Sequence, residues 1–185
     1  DKGVPAALFM ARAMTVLEVA TGRGGSPADA LHAAALRLVE GNDTCMFATV
    51  LCGLVNVVDG ELLLASAAHE PPVLVRADGR KEFLQVESTG PLGVDVAEHY
   101  PIWRGRLEPG DALVAYTDGI TEAFDGSNLA FGQERLLAAL TPGGDAQALC
   151  QSLVSAAHRF SDGVAQSDDI TVLALCLSTD HDGGA

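Results

Sequence analysis

The sequence predicts an α+β layered sandwich with antiparallel sheets, folded as a single domain over residues 1–185. Three observations carry this. Helical patterns fill the first forty residues, short apolar runs joined by Asp-Gly turns follow, and two more helical patterns precede one closing β-branched run. Strands grouped between helices, rather than alternating with them, disfavour a parallel βαβ sheet.

In "GVPAALFMARAMTVLEVATG" Pro5 suits a first helical turn, Arg12, Thr15 and Glu18 form a narrow polar edge, and Gly22 can close the end. Most of that circumference is apolar, so the helix is expected to be well covered. "SPADALHAAALRLVEGN" starts with Ser26 as a cap, Pro27 at the first position and Asp29 three residues after the cap, with Leu31, Ala35 and Leu38 at helical spacing. The run "MFATVLCGLVNVV" is apolar on both faces, as in a central strand, and Asp59-Gly60 turns it into "ELLLASAAH". "VLVRADGRKEFLQV" is a second hairpin turning at Asp78-Gly79. After a Gly90–Gly93 loop and "YPIWRGRL", the turn Glu108-Pro-Gly-Asp111 leads into the apolar strand "ALVAY". A short helix around "QERLLAAL" and a longer one in "DAQALCQSLVSAAHRF", with Leu149, Leu153, Ala156 and Phe160 on one face, precede the last strand "ITVLALCL". The Asp/Gly-rich stretch 178–185 reads as a flexible tail.

The 25 acids against 11 bases give a formal charge of -14, which disfavours nucleic acid and anionic membrane as partners. The apolar stretches read as too short to span a bilayer and no leader opens the chain, so a soluble, cytoplasmic protein is expected. Cys45, Cys52, Cys150 and Cys176 show no zinc spacing and read as buried, reduced thiols.

Six Asp-Gly pairs occur, at 59, 78, 118, 125, 162 and 182, and most such pairs are turns. Asp118 differs: "ALVAYTDGITEAF" delivers it at the end of an apolar strand with no matching strand close behind, and Gly119 lets a ligand or water approach the backbone. Asp168 and Asp169 arrive from the opposite direction, just before the last strand. The two positions meet if "ALVAY" and "ITVLAL" are neighbours. Clustered carboxylates without His or Cys suit hard divalent cations such as Mg²⁺ or Mn²⁺, which would also relieve the repulsion between adjacent acids; solvated turns are the bland alternative.

"DKGVPAALFMA", "MFATVLCGLV", "ASAAHEPPVLVRADG", "GPLGV", "LEPGDALVAYTDGITEAFD", "FGQERLLAAL" and "QSDDITVLAL" stand in the order and spacing of a known family. The chain resembles the SpoIIE-type (RsbU-like) branch of the metal-dependent PPM, protein phosphatase 2C-like, serine/threonine phosphatases, from Asp1 to about Leu177. The resemblance implies an α-β-β-α sandwich with two Mn²⁺ or Mg²⁺ ions at the sheet edges, Asp118 and Asp168 as metal ligands, and Asp169 as a second acid shaping the same site. It implies a water activated by metal rather than a side-chain nucleophile, which agrees with the absence of a convincing Ser-His-Asp or Cys-His arrangement. The implied substrate is a phosphorylated STAS-type anti-sigma-factor antagonist in bacterial partner switching, with a sensor or receiver domain upstream. In the family the first helix pair docks regulators or a second subunit, so a homodimer through the N-terminal helices is an expectation too.

Departures from the pattern also matter. The family's metal-bridging Asp and further strands precede the "DKG" segment, so N-terminal strands are expected to be missing here and this stretch alone is expected to be inactive. Ala68 stands where Gly is usual and Glu70 where Asn is common, either side of His69, which has a substrate role or an ordinary loop role. Lys2 at the first helix start could face a phosphate, although a plain helix start is the simpler reading. Two competing functions fit the same residues. One is a non-catalytic binding or dimerisation module that keeps the fold, and the other is a hydrolase of small phosphate esters.

Overall fold

A computed structural model of the protein describes residues 3–166 and 168–177; Lys2, His181 and the expected tail from Ser178 lie outside the described residues. Along the chain come α1 (Val4–Gly22), α2 (Pro27–Val39), β1 (Val50–Val55), β2 (Glu61–Ala67), β3 (Val73–Val75), β4 (Lys81–Phe83), β5 (Ser88–Thr89) and β6 (Trp103–Arg106). They are followed by β7 (Ala112–Tyr116), α3 (Asp118–Thr121), α4 (Gly132–Ala139), α5 (Ala146–Phe160) and β8 (Val172–Cys176). These elements form two compact units, each with its own sheet, and together they give the α+β class that the pattern predicts.

The first unit takes Asp1–His69 and Gln85–Arg106. β1 and β2 pair antiparallel from Val50↔Ala67 to Val55↔Leu62, as the Asp59-Gly60 turn requires, and Gly60 takes the positive φ that this corner needs. β6 adds antiparallel to β2, while β5 adds parallel to it over two residues, an exception to the antiparallel expectation. α2 lies on β1 and β2, capped as its sequence predicts: the Asp29 N–H donates to Ser26 Oγ at 3.2 Å and the Ser26 N–H to Asp29 Oδ2 at 2.8 Å. Leu31, Ala35 and Leu38 are fully buried against Ala65 and Ala67.

Several expectations about this unit need correction. α1 is covered on one face only: Phe9, Ala13 and Ala20 are buried, whereas Val4, Leu8, Met10, Met14 and Val19 are exposed. A helix apolar all round carries no asymmetry to say which face is packed. By length and composition alone α1 is also apolar enough to cross a bilayer, contrary to the expectation that no stretch reached that length. Its one described charge towards α2 is satisfied by protein, since the Arg12 guanidinium donates to the carbonyls of Arg37 and Glu40. β1 pairs with β2 alone among the described residues, so it is not central, and Leu54, Val57 and Val58 are exposed. An apolar run shows hydrophobicity without showing how many neighbours flank it. The cysteines are free thiols, but Cys45 is exposed and Cys52, Cys150 and Cys176 are only partly buried. Burial of Cys52 raises its pKa, as for an inert rather than a reactive thiol.

The second unit takes Glu70–Leu84 and Leu107–Ala185, with strand order β4-β3-β7-β8, antiparallel throughout. The β3–β4 hairpin turns at Asp78-Gly79 as predicted. α5, capped by the Asp145 side chain, packs on β8, and Leu149 and Leu153 join Val73, Val114, Tyr116, Ile120 and Leu136 in one core. Asp111 closes the turn before β7 from a buried position: its carboxylate accepts from the N–H groups of Ala77 (3.0 Å) and Glu108 (2.9 Å) and from the Arg76 guanidinium (2.7 Å). All this fixes β7 between β3 and β8, and so fixes where the three strand ends lie.

Candidate metal centre

The last pair of the β7–β8 ladder is Tyr116↔Val172, and it brings the exit from β7 beside the entry to β8. Thr117 extends the pairing. Its N–H donates to the Thr171 carbonyl at 3.0 Å, its Oγ1 accepts the Thr171 N–H at 3.0 Å, and the same hydroxyl donates to the Asp169 carbonyl at 3.0 Å. Asp118 then opens the single turn of α3, a helix that the sequence pattern was too short to announce, with its carbonyl taking the Glu122 N–H at 2.7 Å. Gly119 lies against the opposite segment so closely that a Cβ there would stand 2.5 Å from the Asp169 carbonyl oxygen and 3.3 Å from that of Asp168. Space, not a left-handed backbone, requires glycine at this position.

Asp118, Asp168 and Asp169 are therefore delivered to one sheet edge, which is the juxtaposition that the sequence made conditional on neighbouring strands. All three are exposed to solvent. Asp168 is braced locally: its Oδ1 accepts the Asp169 N–H at 2.7 Å and its carbonyl accepts from Gln166 Nε2 at 2.7 Å. β3 begins at the same edge, because its first residue Val73 pairs with Val114, and just before it stands Glu70. Partial burial raises the Glu70 pKa, with further contributions from the nearby charges of Asp118 and Glu122. Beside it the Tyr116 hydroxyl is buried without a hydrogen-bond partner among the described residues, and burial together with the Glu70 charge pushes its pKa far up.

Sequence reasoning missed Glu70 and Glu122 as members of this acidic edge. For Glu70 the available signal was its departure from the family's Asn; for Glu122 it was the four-residue spacing from Asp118, visible only once α3 is known to be helical. His69 belongs to the first unit and has loop bonds there: its Nδ1 lies 3.3 Å from Thr49 Oγ1 and its N–H donates to Ser66 Oγ at 3.3 Å. Its neighbour Ala68 adopts a left-handed φ of 54, held by bonds from its N–H to the Thr89 carbonyl and Ser88 Oγ.

The donor set at the edge is entirely oxygen, carboxylates and backbone carbonyls, which fits Mg²⁺ or Mn²⁺ and not a thiol- or imidazole-seeking metal. Among the described residues no three acidic, His or Cys side chains converge as a metal-ligating group.

The family model for stage II sporulation protein E (SpoIIE) matches residues 1–178. The chain belongs to the SpoIIE family. It is 30% identical to Protein IcfG of Synechocystis over 95% of its own length and 32% of that protein. It is 32% identical to the phosphoserine phosphatase RsbU of Bacillus subtilis over 65% of its own length and 36% of that protein. The chain thus spans about a third of the length of the curated relatives it matches. Among solved structures it is similar to the RsbU and RsbW domains of Rv1364c from Mycobacterium tuberculosis, with a TM-score of 0.72 and 26% identity, covering 93% of this chain and 48% of that one. As a SpoIIE-family chain it has the fold of PPM-type phosphatase domains.

Proposed function

We propose that this SpoIIE-family chain is the phosphatase domain that removes phosphate from phosphoserine or phosphothreonine in a protein, with Mn²⁺ or Mg²⁺ as cofactor. The observation that carries the proposal is the fastening of Asp118 to the Asp168–Asp169 segment across the β7–β8 ends. Asp118 and Asp168 hold the cations, and Asp169 shapes the same edge. When bound, the ions make a water more acidic and draw off charge from the phosphate oxygens. Thr117 keeps the two acid-bearing segments in register, and Gly119 lets their backbones meet. The edge is open to solvent, so a phosphorylated segment of another protein can reach it. No side-chain nucleophile enters this scheme.

The substrate we infer is a phosphorylated STAS-type anti-sigma-factor antagonist, in a bacterial partner-switching system located in the cytoplasm. Two relatives support it by their names: one is a phosphoserine phosphatase, and another carries RsbU and RsbW domains in one protein. An upstream sensor or receiver domain is part of this reading, since the matched relatives extend well beyond this chain, as is a homodimer through α1 and α2. The alternative, a binding module that retains the fold without chemistry, draws on the lack of three converged side chains among the described residues. The deciding experiment follows release of phosphate from a phosphoserine STAS protein by the full-length protein with Mn²⁺ and with chelator. Manganese-dependent release supports the enzyme; equal, negligible release under both conditions supports the module.

A further inference from the structure

A cavity of about 220 Å³ opens beside the acidic edge, wholly within the second unit. Its lining includes Gly119, next to Asp118, and Ile170, next to Asp169; Phe124 adds an aromatic wall, and His158, Asp162 and Gln166 supply polar groups. The volume falls below the roughly 300–1,000 Å³ of pockets that enclose whole small ligands. It suits one side chain of a larger substrate. Among the described residues Asp162 carries the only formal charge on the lining at neutral pH with His uncharged, and Asp118, Glu122, Asp125 and Asp169 each stand one residue from a lining position. Arg159 is the single base so placed. A concave site whose lining carries one negative charge, with acids outnumbering bases among the adjoining residues, favours a positive group.

We propose that this cavity is a specificity subsite that takes a Lys or Arg side chain flanking the phosphorylated residue of the substrate. The aliphatic stem lies on Phe124 and Ile170 while the cationic head faces Asp162 and Gln166, the usual division for an amphipathic side chain. This rests on the phosphatase reading for its phosphorylated substrate, but it makes a separate claim about what lies beside the phosphate.

The test uses phosphoserine peptides in which Lys, Arg, norleucine or Glu is moved through the four positions on each side of the phosphoserine, with p-nitrophenyl phosphate as a substrate lacking any flank. With the full-length protein and Mn²⁺, kcat/KM is expected to favour Lys or Arg over norleucine at one position by about three- to tenfold, with Glu poorest. In Asp162→Lys that ratio, read within the variant, falls to one or inverts. A flat series, or a cationic preference that survives Asp162→Lys, overturns the subsite even if p-nitrophenyl phosphate is hydrolysed. Should nothing be hydrolysed, the phosphatase reading fails, and anisotropy of the same labelled peptides still judges the subsite: a cation-favouring ranking upholds it and a flat ranking removes it.

Discussion

The Thr117 hydroxyl donates to the Asp169 carbonyl at 3.0 Å while accepting the Thr171 N–H at 3.0 Å, so one side chain joins the end of β7 to the acid-bearing approach to β8. Removing it leaves a donor and an acceptor without their partner. Thr117→Val is expected to lower stability by about 1–2 kcal/mol in urea unfolding and to weaken manganese binding, while Thr117→Ser keeps both near wild type. Equal behaviour of the two variants would show that the hydroxyl does not set this register.

Gly119 has no room for a methyl group, because its Cβ would press on the Asp169 carbonyl oxygen at 2.5 Å. Both contacting groups are backbone and cannot swing aside. Gly119→Ala should therefore part the two segments, cost about 2 kcal/mol and reduce manganese affinity. Thermal unfolding with and without Mn²⁺ reads both effects, and a variant that matches wild type in each would refute the tight approach.

Asp111 gives a prediction in pH. Burial works to raise its carboxyl pKa, but the Glu108 and Ala77 N–H groups and the Arg76 guanidinium outweigh it, leaving the pKa below the ordinary value of 3.8. The native state thus binds this proton more weakly than the unfolded chain does, and the stabilisation is complete above the unfolded value and disappears as pH falls through the native one. Asp111→Ala should cost about 3 kcal/mol at pH 7. That gap is expected to close as unfolding is followed from pH 5 down through pH 4 and below; a gap independent of pH would assign the loss to packing.

Ala68 occupies a left-handed backbone conformation that costs a residue with a Cβ about 1 kcal/mol or more. Ala68→Gly removes that strain and adds freedom to the unfolded chain, two effects of opposite sign. The net expectation is a gain of a few tenths of a kcal/mol, seen as a small rise in Tm. A fall in Tm would show that the freedom gained by the unfolded chain outweighs the strain relieved at this position.

Much of the fold was legible because local chemistry declared it: the Ser26–Asp29 capping box, the two Asp-Gly hairpins and the apolar stripe of α5 each formed where their residues predict. What failed was exposure. The apolar runs of α1 and β1 carry no label for the face or edge that stays open, so both were expected to be better covered than they are. The strand-end positions of Asp118, Asp168 and Asp169 were readable from the sequence. Their proximity needed the β7–β8 register, a contact across fifty residues that no local signal encodes. Glu70 joins them only through the β3–β7 pairing.

Carboxylates from neighbouring strand ends sharing divalent cations are the foundation of the proposed chemistry, and calorimetric titration of Mn²⁺ into the full-length protein measures that sharing directly. Wild type should bind manganese, and Asp118→Asn and Asp168→Asn, each confirmed as folded, should weaken binding by at least about tenfold. Isotherms from both variants that superimpose on the wild-type curve would contradict the shared site and the phosphatase reading with it.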